Sequence, residues 1–232
     1  MRQVFQGFPK EAVRFLSDLE RNNDREWFEA HRSDFETHLM DPARGFVLAM
    51  GERLREISPG VVADPRTDKS IFRIHRDTRF SKDKSPYKTH LGIFLWEGKR
   101  PKMECPGFYF HLEPRELMLG VGLYMFPKTM IEAYRRAVVH PVYGKALAEA
   151  VESVLSDNDF TLGGKHYKRV PAGFDADHPN AELLLHNGLH AGCSVSPLPS
   201  ELFGAGILDY CLKRFEHLLP LHRWLVGQLG ML

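Results

Sequence analysis

The feature that most constrains this chain is a change of hydrophobic period, from helical to two-residue spacing and back. Apolar residues recur at helical spacing over residues 9–57, which predicts amphipathic helices. Over residues 72–123 apolar residues instead recur at every second position, a pattern typical of strands. Helical spacing resumes after Pro127 and again over residues 199–229. Because short links join the successive strands, we expect them to pair antiparallel.

This order of elements predicts one α+β domain over residues 1–232, with a central antiparallel sheet flanked by N-terminal and C-terminal helices. We expect the sheet within residues 71–124. Glycine and proline are frequent over residues 157–197, so we expect irregular structure there, with a short helix near residues 181–186. The apolar phases predict that ten side chains are mostly buried: Trp27, Phe28, Phe35, Leu54, Ile93, Leu95, Phe110, Leu119, Phe215 and Trp224.

The composition is that of a folded globular protein. Hydrophobic residues make up 43% and charged residues 26% of the 232 positions, which excludes an extended disordered chain. The sequence has no apolar run long enough for a membrane span and no apolar core of a signal peptide near its start. Its three cysteines, Cys105, Cys193 and Cys211, form no CxxC pair and predict a reducing, cytoplasmic setting.

Charge is balanced over the whole chain but concentrated in one segment. Residues 66–102 hold eleven basic and four acidic residues, a net charge of +7 in a chain whose total is +1. The remaining residues therefore carry −6. A dedicated nucleic-acid packaging protein is basic throughout, so this distribution excludes that class while leaving room for a local anion site.

The centre of the charged segment, residues 72–90, is here called the basic loop. It reads FRIHRDTRFSKDKSPYKTH and contains six Lys or Arg against two Asp. Arginine offers a planar fork that suits phosphate or carboxylate, and lysine offers a point charge. We expect Asp77 and Asp83 to orient neighbouring cations rather than bind a ligand. The candidate anion-binding residues are Arg73, His75, Arg76, Arg79, Lys84, Tyr87 and Lys88.

Three functions compete for this loop. In the first interpretation, the loop binds a phosphate-bearing anion, either a small molecule such as a nucleotide or the backbone of a nucleic acid. Alternatively, the protein is an enzyme acting on a phosphorylated or carboxylated small molecule, in which loop arginines hold the anion and His75 or Tyr87 moves a proton. In the third interpretation the charges only form internal ion pairs that shape the loop. No membrane partner and no cofactor are expected.

Four stretches of the chain resemble one known family. These are NNDREWF, the basic loop itself, PGFYFHLEP with the following GVGLYMF, and KRVPAGFDADHPNAELL. They are similar to the domain of unknown function family 2461, a family of conserved hypothetical proteins, and the similarity extends over about residues 5–226. The resemblance implies an intact single-domain member of that family. It implies no activity, cofactor or catalytic residue.

The remaining polar residues give weaker signals. Asn23 followed by Glu26 predicts a helix cap, and a second interpretation places this helix start against the basic loop. His111 and Tyr109 lie on one strand face, and they meet His75 if their strands are neighbours. By residue type, Asp175, Asp177, His178, His186 and His190 could ligate a metal. Because Gly188 separates the last two histidines and no HExxH motif is present, the sequence predicts no metal site.

Overall fold

The computed structural model describes residues 5–229, which form helices at both ends of the chain and strands between them. The helices are α1 (Lys10–Arg21), α2 (Arg25–Ala30), α3 (Arg32–Asp34), α4 (Asp41–Ile57), α5 (Lys128–Val139), α6 (Tyr143–Leu155) and α7 (Ile207–Leu229). The strands are β1 (Val61–Val62), β2 (Leu91–Glu97), β3 (Gly107–Leu112), β4 (Leu117–Leu123), β5 (Thr161–Lys165) and β6 (His186–Val195). Phe35–Met40 forms a π-helix between α3 and α4.

The strands form an antiparallel sheet in the order β1-β2-β3-β4-β6-β5, which confirms the predicted α+β class. The strand expected at Phe72 is not regular, however. Phe72 bonds to Gly92 through N–H···O at 3.0 Å, whereas the amide of Lys88 bonds back to the Ile74 carbonyl at 2.7 Å. The segment therefore pairs first with β2 and then with the return of its own loop, so it forms isolated bridges instead of a continuous ladder.

The prediction of irregular structure over residues 157–197 is wrong for β5 and β6. β5 is interrupted by two glycines and shows no alternation. In β6 the buried Leu189, Ala191 and Cys193 alternate with His190, Gly192 and Ser194, so a strand pattern was present there within a segment rich in glycine and proline. Gly120 and Gly122 of β4 face β6, and a Cβ at Gly120 would lie 2.9 Å from the Ala191 carbonyl oxygen. Glycine therefore serves here to let two backbones approach closely. The short helix expected near residues 181–186 is present as a 3-10 helix over Ala181–Leu185.

The described residues cluster into two compact units. The first comprises residues 5–95, Tyr109–Met118 and Ser194–Lys213, and the second comprises Trp96–Phe108, Leu119–Cys193 and residues 214–229. In the first unit the Phe110 ring packs against Phe8 and Phe46, at centroid distances of 5.5 and 4.6 Å.

The core of the second unit combines an aromatic contact with a buried hydrogen bond. The rings of Phe108 and Phe215 meet edge to face at 5.3 Å, and the buried Tyr134 hydroxyl donates to the Leu183 carbonyl at 2.8 Å. Cys105, Cys193 and Cys211 are free thiols, each of them buried. Within residues 5–229, the helices are too short or too polar to cross a membrane.

The burial expected from the apolar phases is largely confirmed. Eight of the ten chosen side chains are buried, and Trp27 and Phe35 are half-buried. Phe15 lies between these two rings, at 5.6 Å from Trp27 and 5.8 Å from Phe35. Both half-buried rings therefore still contribute to the aromatic cluster of the N-terminal helices.

Replacement of Gly122 tests the close approach of β4 and β6. Gly122 has φ of +133°, and a Cβ there would lie 2.4 Å from the Cα of His190. We expect Gly122→Ala to lower the free energy of unfolding by at least about 2 kcal/mol, through backbone strain and steric overlap. Gly227→Ala in α7 is the matched control, because its Cβ enters open space. Urea unfolding should show the control at or above wild-type stability, and equal stability of both variants would contradict this account.

Candidate functional site

Two backbone hydrogen bonds close the base of the basic loop. The amide of Arg76 donates to the Pro86 carbonyl at 2.8 Å, and the amide of Lys88 donates to the Ile74 carbonyl at 2.7 Å. We call residues 73–76 and 86–88 the neck of the loop, and residues 77–85 its tip. The neck fixes the positions at which Arg73, Arg76 and Lys88 leave the backbone.

The side chain of Asn23 holds the neck against the N-terminal helices. Its amide nitrogen donates to the Tyr87 carbonyl and its oxygen accepts from the Tyr87 amide, both at 3.0 Å. The Tyr87 ring stacks on Phe28 at 4.1 Å and is only 3% exposed. The helix cap expected from Asn23 is instead made by Asp24, which accepts from the Trp27 amide. The alternative expectation, that this helix start lies against the basic loop, is therefore confirmed, because Asn23 just before α2 contacts Tyr87.

Ion pairs made by the two aspartates of the tip compensate part of the positive charge of the loop. Arg79 forms a two-pronged contact with Asp77, with a shortest N···O distance of 2.7 Å, and Arg76 pairs with Asp83. Hydrogen bonds from Arg79 lower the pKa of the Asp77 carboxyl to about 2. The Lys84 ammonium donates to a carbonyl within the loop at 2.9 Å. Both aspartates thus orient neighbouring arginines, as expected from the sequence.

The neck differs from the tip because two of its cations lack a paired carboxylate. Among residues 5–229, no carboxylate lies within ion-pair distance of Arg73 or Lys88. Lys88 is half-buried, with its ammonium 5.5 Å from the centre of the Phe72 ring. Burial lowers the pKa of Lys88, and the positive charge of Arg73 lowers it further, against a weaker opposing effect of Asp68.

Beside the neck, alternate residues of β3 present a polar face of the sheet. Phe110 points into the core, whereas Tyr109 and His111 are half-buried on the opposite side. Gly92 of β2 leaves the space that these rings occupy, since a Cβ there would lie 3.1 Å from the Phe72 ring and 3.2 Å from the Tyr109 hydroxyl. The Phe72 and Tyr109 rings meet edge to face at 6.3 Å.

Four side chains on this face form a connected group, here called the histidine cluster: His90, Tyr109, His111 and Glu113. The Tyr109 hydroxyl lies 2.7 Å from His111 Nδ1, and His111 Nε2 lies 2.9 Å from a Glu113 oxygen. His90 stacks on His111 with ring centres 4.2 Å apart. Burial raises the pKa of Tyr109 to about 12, so its hydroxyl is neutral at physiological pH.

The surroundings of His90 favour its neutral form. Burial is the main cause that lowers the pKa of His90, to about 4, and electrostatic interactions with His111, Lys88 and Arg76 lower it further. Glu113 acts in the opposite direction, less strongly than burial, His111 or Lys88 but more strongly than Arg76. These effects place Arg76 and Lys88 in electrostatic range of the histidine cluster, so the neck cations and the cluster form one neighbourhood within the first unit.

The structure brings together some of the candidate residues and separates others. Arg73, Arg76 and Lys88 lie in the neck, whereas Arg79 and Lys84 lie in the tip and are engaged there. His75 is exposed, and its ring contacts Tyr87 at 5.1 Å. The expected meeting of His75 with His111 is replaced by another contact, because the imidazole that stacks on His111 is His90.

Sequence reasoning missed His90 and Glu113 as partners of the site. The available signal was the spacing: Glu113 continues the alternation of Tyr109 and His111, and His90 follows Lys88 by two residues. His186 and His190, which are four residues apart as in helical histidine pairs, both lie on β6. Four residues of a strand span about 13 Å, which is too far for two side chains on one face to share an ion.

Comparison with known proteins identifies a family but no activity. The sequence matches the family described as "Conserved hypothetical protein (DUF2461)" over residues 11–224. No curated protein matches it. The match covers nearly the whole chain, including the basic loop and the histidine cluster.

The Asn23 contact can be tested by removing its side chain. Asn23→Ala leaves the Tyr87 amide and carbonyl without their partner, so we expect the free energy of unfolding to fall by about 1–3 kcal/mol. Amide hydrogen exchange at Tyr87 should also become faster. Asn22→Ala is the matched control, because the Asn22 side chain bonds only to the Asp18 carbonyl of its own helix. Equal exchange rates at Tyr87 in the two variants would rule out the proposal that the Asn23 side chain holds the neck in place.

The environment of His90 predicts a pH dependence of stability. Its pKa is about 4 in the folded protein, against the ordinary histidine value of 6.5 in the unfolded chain, so the unfolded chain binds the proton first as pH falls. His90 therefore destabilises the fold progressively as pH falls from 6.5 towards 4. We expect His90→Gln to flatten this part of the profile of unfolding free energy against pH, measured in urea. His75→Gln, an exposed histidine of the same loop, should leave the slope in place, and an unchanged slope in His90→Gln would contradict the assignment.

Proposed function

The chain belongs to the DUF2461 family of conserved hypothetical proteins, and because membership supplies no activity, we propose from the site itself that the neck of the basic loop binds a phosphate-bearing anion. The ligand is a nucleotide or a nucleic-acid backbone, which share the phosphate group that the cations recognise. Arg73 and Lys88 are the central contacts, and Arg76 stands beside them.

One observation carries the proposal: Lys88 is half-buried, next to the like charge of Arg73, and neither has a carboxylate partner among the described residues. Burying an uncompensated ammonium is unfavourable, because the charge loses hydration without gaining a counter-ion. An oxyanion at the neck offsets both the burial and the repulsion. The pKa of Lys88, lowered by these two effects, would rise again once the anion is bound.

The neighbouring groups suit such a ligand in different ways. The Arg73 guanidinium supplies a planar pair of donors and the Lys88 ammonium a point charge. His75 is exposed at the edge of the neck. Arg79 and Lys84 attract an anion from the tip at longer range, because their direct donors are engaged within the loop. Tyr87 supports the neck from the core side.

The two alternative functions have less support. The enzyme needs a proton-transferring group at the anion. Tyr87 is buried against Phe28 and burial raises its pKa, which leaves His75, exposed at the edge of the neck, as the remaining candidate. The purely structural loop is supported at the tip, where Asp77 and Asp83 pair with arginines. It does not account for Arg73 and Lys88 in the neck, which repel each other and have no carboxylate within ion-pair distance among the described residues.

The test is calorimetric titration of the intact chain with inorganic phosphate, a nucleoside monophosphate and a short single-stranded DNA. We expect Arg73→Gln and Lys88→Gln each to weaken binding by about ten- to a hundredfold, because each removes a charge-assisted hydrogen bond. Arg79→Gln is the matched control. It should weaken binding by less than about fivefold, because this exposed arginine is already ion-paired. A steep loss of DNA binding with added salt would identify a nucleic-acid ligand.

Stability measured on the same variants separates binding from a structural role. Without ligand, Lys88→Gln should leave the thermal unfolding temperature unchanged or raise it, because it removes a desolvated and repelled charge. A loop whose neck charges serve only to hold the structure would be destabilised instead. Absence of binding by all three ligands, or equal losses in Lys88→Gln and Arg79→Gln, would overturn the proposal.

A further inference from the structure

We propose that His90, His111 and Glu113 form a binding site for one divalent transition-metal ion, with Zn²⁺ as the best fit. The proposal rests on the geometry of the histidine cluster and does not require the anion site. It assigns a role to residues that the proposed anion site leaves unused.

The three side chains already bring their donor atoms together. One ligand atom from each of His90, His111 and Glu113 lies within 4.8 Å of the other two. Ligands bonded to Zn²⁺ at about 2.0–2.2 Å in a tetrahedron lie roughly 3.3–3.6 Å apart. Closing the site around an ion therefore requires the donor atoms to approach one another by at most about 1.2–1.5 Å.

The backbone supplies this arrangement in two pieces. His111 and Glu113 are two residues apart on β3 and the turn after it, so they leave the same side of the strand. His90 immediately precedes β2, which is the neighbour of β3 in the sheet. His111 thus stands on a strand, whereas His90 and Glu113 flank the ends of two paired strands, whose backbone pairing limits their movement.

The two polar contacts of His111 determine what binding of an ion requires. Both are hydrogen bonds when the proton is on Nε2, because Nε2–H then donates to Glu113 and Nδ1 accepts from the Tyr109 hydroxyl at 2.7 Å. An ion bound at Nε2 requires the other tautomer, in which Nδ1–H donates to the Tyr109 oxygen. That Nε2 atom is also the one that lies 2.9 Å from the Glu113 carboxylate. An outer partner of this kind fixes the tautomer and orientation of a ligating histidine.

The donor set indicates the class of metal. Two imidazole nitrogens and one carboxylate oxygen suit Zn²⁺ and its transition-metal neighbours, whereas Mg²⁺ and Ca²⁺ prefer oxygen ligands only. Three protein ligands leave at least one coordination position open to water or another molecule.

The charges nearby limit how tightly an ion is held. Lys88 and Arg76 act on His90 as positive charges, and the Glu113 carboxylate is the negative charge among the ligands. A bound anion would neutralise the two cations and thereby tighten metal binding. This coupling, unlike the site itself, rests on the proposed function. By linkage, the metal would then tighten anion binding by the same factor.

The test uses the chelator-stripped intact chain and a metal alone, in a buffer free of phosphate. We expect Zn²⁺ to bind with one ion per chain in calorimetry, and Co²⁺ to give the visible absorption of a coordinated ion. His111→Gln and Glu113→Gln should each weaken Zn²⁺ binding by more than about tenfold. Tyr109→Phe should weaken it by about ten- to a hundredfold while keeping the Co²⁺ spectrum, since it removes only the outer hydrogen bond.

Two control variants match the ligand variants. Glu116→Gln removes a carboxylate from the same hairpin as Glu113, and His75→Gln removes an exposed histidine of the basic loop; both should bind Zn²⁺ like wild type. Glu113 is exposed, so its variant is expected to fold even if a His111 variant does not, and circular dichroism checks this. Failure of the wild-type chain to bind Zn²⁺ would overturn the proposal, as would undiminished binding in Glu113→Gln. Neither result would bear on phosphate binding by the neck.

Discussion

The alternation of side chains along β3 is the constraint on which both the core of the first unit and the candidate site depend. A pleated strand turns successive residues to opposite faces, so Phe110 and Leu112 are buried while Tyr109 and His111 face the other way. The Phe110 ring is held between Phe8 and Phe46. A shift of register by one residue would exchange the two faces, placing the histidine in the core and the phenylalanine in the site. The packing that stabilises the fold therefore also orients the polar cluster.

The positive charge of the basic loop is compensated by carboxylates in the tip but not at Arg73 and Lys88 of the neck. In the tip, aspartates two and seven residues from their arginine partners neutralise charge locally, and these contacts are exposed and contribute little to stability. In the neck, backbone hydrogen bonds and the two hydrogen bonds between Asn23 and Tyr87 fix the path of the chain. The backbone positions of Arg73 and Lys88 therefore do not depend on the charges of their side chains. Because backbone hydrogen bonds fix these positions, two cations without a paired carboxylate can be held near each other.

The neck cations and the histidine cluster have complementary chemistry at short range. The cluster presents imidazole nitrogens and one carboxylate, whereas the neck presents positive charge. Burial has opposite effects on the two kinds of group: it makes the pKa of His90 low enough to leave a free lone pair, and it makes the charge of Lys88 harder to sustain. Under the two proposals made above, a metal ion at the cluster and an oxyanion at the neck each reduce the electrostatic cost of binding the other.

The sequence by itself determined the elements whose pattern is local. The helical periods of α1 and α4, the alternation of β3 and β4, the buried aromatic residues and the concentration of charge in the basic loop follow from residue spacing, which depends only on backbone geometry. β5 left no periodic signal because two of its five residues are glycine, whereas the alternation of Leu189, Ala191 and Cys193 in β6 was a usable signal that the surrounding glycines and prolines obscured. The tertiary structure alone decided which cations found partners, since Asp77 and Asp83 could have reached several of them. It also decided that His90, and not His75, stacks on His111, because His90 directly precedes β2, the neighbour of β3, whereas His75 pairs with Tyr87 within the loop. Contacts between residues distant in sequence follow from strand pairing and loop closure, and no spacing within either segment records them.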